Sequence, residues 1–146
     1  MRAVSGGSMR FEKAAKNQKA VRVVIGTRYT LFREGIKAML LAGGAIEVIG
    51  EAATAKKTIA LTERLKPDVV LMDPDMPDLG PAETVRRINA SLPDGKILFM
   101  PLGDGRVVRS GYTRAGIVGY IDKRNRPMQL RSAVLHSVGR RGAHAA

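Results

Sequence analysis

The chain has 146 residues, 45% of them hydrophobic and 26% charged, the size and balance of one globular domain with modest tails. It holds no cysteine, which excludes disulfides, thiolate metal sites and cysteine nucleophiles, and no apolar run is long enough to span a bilayer. The formal net charge of +12 is unevenly placed: residues 1–20 carry five basic and one acidic side chain, residues 21–95 ten of each, and residues 96–146 ten basic and two acidic, so the surplus at the ends points to an acidic partner.

Residues 1–19 read as a basic, flexible arm without the apolar centre of a signal peptide, and 140–146 as a short basic tail, leaving 20–139 as the folded region. Within it, AVRVVIG (Ala20 to Gly26) is short, apolar and β-branched, which predicts a first strand. Thr30 is placed to cap a helix whose Phe32, Ile36, Met39 and Leu40 recur at helical spacing, with Arg33, Glu34 and Lys37 facing away and Gly43–Gly44 ending it. A second strand is expected at Ile46 to Gly50 and a second helix at Thr54 to Leu65. Leu61 and Leu65 with Thr58 and Thr62 form its core stripe, and Ile59 lies off it.

The stretch PDVVLMDPDMP (67–77) stands out. Four consecutive apolar residues, Val69 to Met72, bounded by Pro-Asp and by an acidic, proline-rich loop, predict a strand buried on both faces that runs straight into Asp73. Pro81 opens the next helix, with Glu83 in its first turn. KILFM (96–100) gives a fourth strand, residues 104–114 a glycine-weakened helix, 116–121 a fifth strand, and Pro127 a last helix carrying Leu130, Ala133, Val134 and Val138. Strands alternating with helices in this way predict an α/β fold, a doubly wound five-stranded parallel sheet.

With TLFREG after the first strand, PDVVLMDPDMP at the third and AGIVGYIDK at the fifth, residues 20–139 resemble the CheY-like receiver domain of bacterial two-component response regulators. The closest likeness is to receivers normally followed by a helix-turn-helix domain, for which too few residues follow the last helix here. The resemblance implies a flavodoxin-like (βα)5 fold with strand order 2-1-3-4-5. It also implies that Asp73 occupies the phospho-acceptor position, Lys123 the phosphoryl-pairing lysine, Tyr120 the aromatic switch residue, and Asp75 the backbone carbonyl of the metal site.

Two departures alter what the resemblance implies. The acidic pair that holds Mg²⁺ in such receivers corresponds here to Thr27 and Arg28, and a hydroxyl and a guanidinium cannot replace two carboxylates for a hard divalent ion. Arg28 instead places a cation where the ion would sit, in reach of a salt bridge to Asp73. At the switch threonine or serine stands Pro101, which has neither hydroxyl nor N–H. No cofactor is therefore expected and Mg²⁺ binding is expected to be lost; the chain reads as a degenerate receiver, or pseudo-receiver, and not as an enzyme.

Asp75 and Asp78 read as turn residues, His136 and His144 are too separated to pair on a metal, and Gly43–Gly44 follows a helix where a phosphate loop would follow a strand. Arg106, Arg109, Arg114, Arg124, Arg126 and Arg131 form an expected basic docking face, opposed only by Asp104 and Asp122. The expected partner is an acidic protein surface or a larger assembly, a respiratory complex or a ribosome being conceivable hosts. The expected location is the cytoplasm or, through a partner, the periphery of the membrane's inner face, and a homodimer is compatible with this reading. Two alternatives stand beside it: a stand-alone receiver phosphorylated on Asp73, and a non-specific nucleic-acid-binding regulator, disfavoured by the scarcity of aromatic residues for base stacking.

Overall fold

The computed structural model describes residues 19–102, 117–122, 124 and 126–140. The expected helix at 104–114, with Arg106, Arg109 and Arg114, lies outside the described residues, as do Lys123, His144, residues 1–18 and residues 141–146. In chain order the elements are β1 (Val21–Gly26), α1 (Thr30–Leu41), β2 (Ile46–Ala52), α2 (Ala55–Leu65), β3 (Val69–Met72), α3 (Pro81–Ser91), β4 (Lys96–Phe99), β5 (Ile117–Tyr120) and α4 (Pro127–Ser137). All strand pairs are parallel and the sheet runs β2-β1-β3-β4-β5, the order that the resemblance implied.

Helical crossovers put a layer on each side of the sheet, and the strands alternate their side chains accordingly. Along β3, Val69 and Leu71 join a core with Val23, Ile25, Ile36, Leu40 and Val134, while Val70 and Met72 join a second core with Ile59, Val85, Ile88 and Phe99. Each of the four β3 side chains is at most 2% exposed, and each such burial is worth on the order of 1.5–3 kcal/mol. That double burial makes β3 the rigid post from which the following loop projects.

Local chemistry fixes the helix ends. Thr54 Oγ1 accepts from the Lys57 N–H at 3.1 Å and starts α2. The Asp78 carboxylate, arriving from the loop after β3, accepts from the Ala55 and Lys56 N–H groups at 2.8 and 2.9 Å. Asp78 is thus more than a turn residue: it ties the β3 loop to the N-terminus of α2, where the helix dipole favours a negative charge. Its carboxyl is buried enough to oppose ionisation, yet the Lys56 and Ala55 amides hold it below the usual carboxylate range. After α1 the chain turns through Gly43 and Gly44 at φ of 108° and 76°, a region closed to most side chains.

Several sequence expectations are corrected here. Tyr29, not Thr30, is the residue that flanks α1, and it makes no side-chain cap. Phe32 is 44% exposed rather than part of the core. Ile59 is buried at 5% exposure, because α2 packs against α3 as well as the sheet and so buries a wider face than one stripe. Arg131, expected on an exposed basic face, is 8% exposed and lies on the buried side of α4 with Leu130, Val134 and Leu135. Its guanidinium packs beside Gly43, where an added Cβ would meet Arg131 Nη2 at 2.6 Å.

Candidate functional site

The carboxyl ends of the strands form the edge at which open α/β sheets gather ligands and chemistry. Here the ladder continues one residue past each strand: Thr27 N donates to Ala52 O (3.0 Å), Asp73 N to Gly26 O (2.9 Å), Met100 N to Met72 O (2.8 Å) and Ile121 N to Phe99 O (2.7 Å). These bonds set Thr27, Asp73, Met100 and Ile121 side by side on a fixed frame.

Asp73 is the carboxylate at its centre and is 1% exposed. Oδ1 accepts from the Asp75 N–H at 2.9 Å, the self-bonded turn that Asp favours after a strand. Oδ2 is buried with no hydrogen-bond partner among the described residues. Burial pushes the carboxyl above the usual carboxylate range; the Asp75 amide opposes the rise, the nearby Asp75 charge adds to it, and the Leu102 amide and Arg28 offset it in part.

The two positions after β1 are now resolved in space. Thr27 is buried at 1% exposure; its hydroxyl oxygen accepts from the Tyr29 N–H at 3.2 Å, and its carbonyl accepts from Arg33 Nη1 at 2.5 Å. The hydroxyl is spent on local turn geometry. Arg28 is exposed and turns along its own loop, donating to the Tyr29 hydroxyl at 2.9 Å with its guanidinium carbon 5.0 Å from the Tyr29 ring centroid. The expected salt bridge from Arg28 to Asp73 is therefore corrected: Tyr29 takes the guanidinium. Arg28's pKa is raised first by the Tyr29 hydrogen bond, and only weakly by Asp75 and Asp73.

Sequence reasoning also missed Arg33. The helical period sets it on the outer face of α1, but it reaches back to the Thr27 carbonyl and to Glu51 Oε1 at 3.4 Å, while Lys37 meets Glu51 Oε2 at 2.8 Å. A cation one turn into the helix that follows the Thr27–Arg28 loop was the available signal, since the first helical turn lies against the strand end it leaves.

On the far side of the edge, Pro101 is partly exposed and Leu102 buried. Tyr120 is 43% exposed, its ring 6.1 Å from that of Phe99 and tilted by 46°. Asp75 is exposed at the loop tip. Arg124 is exposed and held in its own turn by Asp122, with Nη2 2.6 Å from Oδ2, and Arg126 is exposed at the start of α4. Among the described residues no three His, Asp or Glu side chains gather closely enough to hold a metal ion, and no helix is long and apolar enough to cross a membrane.

A sheet of order 2-1-3-4-5 with an aspartate at the end of its central strand is an architecture that receiver domains share with other flavodoxin-like folds. The response regulator receiver domain family matches residues 15–135, and the chain belongs to that family. Among curated relatives it is 35% identical over 118 residues to the uncharacterized transcriptional regulatory protein YxjL of Bacillus subtilis, covering 81% of this chain and 54% of that protein. It is 34% identical over 116 residues to the response regulator protein VraR of Staphylococcus aureus, covering 78% and 54%. The chain spans about half the length of the curated relatives it matches. Among solved structures, the receiver domain of the putative response regulator NarL from Mycobacterium tuberculosis superposes with a TM-score of 0.72 at 28% identity, covering 84% of this chain and all of that one.

Proposed function

We propose that this receiver works without phosphorylation, as a pseudo-receiver that docks on an acidic protein surface as an accessory subunit or regulator of a larger assembly, and that it catalyses nothing itself. The observation that carries the reading is the treatment of the strand-end edge. The hydroxyl of Thr27 is committed to the Tyr29 amide, Arg28 is folded onto Tyr29, and Asp73 is left as a buried, hard-to-ionise carboxyl. A hard divalent ion seeks several oxygen ligands and usually more than one carboxylate. One buried carboxyl, one loop carbonyl, a hydroxyl and a guanidinium do not fit such an ion, and phosphoryl transfer relies on it to neutralise developing charge. Pro101 further removes the hydroxyl that would report a phosphoryl group.

The charge surplus supports the choice of an acidic partner, in the cytoplasm or at the inner face of the membrane. The second reading, phosphorylation on Asp73, draws on one observation: the aspartate and its turn to Asp75 are retained at the end of β3. Incubation with acetyl phosphate and Mg²⁺ followed by intact-mass measurement separates the two. Unmodified protein is expected; a phosphorylated species that disappears in Asp73→Asn would establish the second reading.

A further inference from the structure

The docking reading leaves open where the partner sits, and the described surface supplies one answer away from the strand-end edge. β2 is the outer strand of the sheet and, among the described residues, pairs only with β1. Along it, between β2 and α2, runs an open groove of about 700 Å³. Ile49 and Leu61 give it an apolar floor, and both also pack against the small core cluster of Val24 and Ala52. Gly50 lines its middle, facing α2: an added Cβ there would meet Leu65 Cδ1 at 3.2 Å and Leu61 Cδ1 at 3.3 Å. The glycine there lets the leucines of α2 pack close against β2.

The rim is basic. Lys56, Lys57 and Arg64 border the groove and are exposed, and none makes a side-chain ion pair within 4.0 Å among the described residues. The acid that also lines it, Glu51, is already engaged by Lys37 and Arg33. An unpaired strand edge offers a row of backbone donors and acceptors to any extended chain, and an alternating sequence can then place apolar side chains on the floor and charged ones on the rim. A second copy of this chain would set one basic rim against another, which disfavours β2-to-β2 pairing.

We infer that the β2 edge and the groove beside α2 bind an extended acidic peptide segment of the partner, which adds to the sheet as a sixth strand with its carboxylates on Lys56, Lys57 and Arg64. This inference rests on the docking reading and assigns its surface. The seven residues of β2 extend about 23 Å, which matches a ligand of roughly seven residues.

The test uses the full chain and a fluorescein-labelled peptide of alternating Val and Glu, with the Val–Lys peptide as control. Saturable binding of the Val–Glu peptide alone is expected. It should weaken with salt, fall by roughly tenfold or more in K57E/R64Q, and slow amide hydrogen exchange within residues 46–52. No binding, equal binding of the Val–Lys peptide, undiminished binding by K57E/R64Q, or protection confined to residues 117–140 would each overturn the assignment, as would a dimer formed through β2 in light scattering. Failure of the docking reading looks different: native protein isolated at low salt would then be a free monomer. An acidic partner that co-purifies equally with wild type and K57E/R64Q would leave docking standing and remove this surface.

Discussion

At the scale of single residues, three positions carry most of what is unusual. Asp78 satisfies two amides at the start of α2 from across the β3 loop. Asp78→Ala is expected to cost about 1–2 kcal/mol, as losses of capping residues do, measured by urea unfolding. Since its folded pKa is lowered, the stability it adds is present above the ordinary value of 3.8 and fades as pH falls through the folded one. Asp73 behaves in the opposite sense. Its folded pKa is raised, so its contribution is most favourable below pH 3.8 and is lost as pH rises through the folded value. Asp73→Asn, which keeps the acceptor for the Asp75 amide, is therefore expected to raise the melting temperature at neutral pH, with the gain shrinking towards pH 4. A variant less stable than wild type at pH 7.5 would contradict this. Gly43 holds φ of 108° against the Arg131 guanidinium; Gly43→Ala is expected to lose about 1–3 kcal/mol through backbone strain, read from the same denaturant curves.

At the scale of elements, the helices explain what could and could not be read in the sequence. The strands were legible because short β-branched runs between turn residues have few other fates, and β3 in particular had to be buried on both faces. Helix faces were harder. In α2 the stripe Ala55, Thr58, Ile59 and Thr62 has the i, i+3, i+4, i+7 spacing, but Leu61 and Leu65 compete for attention by size, and only the presence of α3 beside it shows that Ile59 is buried. Ile59→Ala is accordingly expected to cost about 2–4 kcal/mol and Leu65→Ala, at a partly buried position, less; equal losses in thermal or urea unfolding would restore the narrower stripe. In α4 the charge of Arg131 hid its place between Leu130 and Val134, although the helical period alone sets it on that face. The turn of Arg28 onto Tyr29 was not legible at all, because a long side chain chooses among neighbours that the chain order cannot rank.

At the scale of the whole molecule, the fold keeps the receiver frame, while among the described residues no three carboxylate or imidazole side chains gather closely enough at its strand-end edge to hold a metal ion. The frame follows from sheet order and two cores, neither of which depends on the chemistry of the edge. The whole is a basic scaffold with a central carboxyl that is costly to ionise. The most direct measurement follows the backbone amide NMR signals of Asp73, Asp75 and Thr27 while Mg²⁺ and beryllofluoride are added to wild type and to T27E/R28D. The expected result is unmoved signals in wild type and saturable shifts once the acidic pair is rebuilt; saturable shifts at Asp73 in wild type would contradict the account.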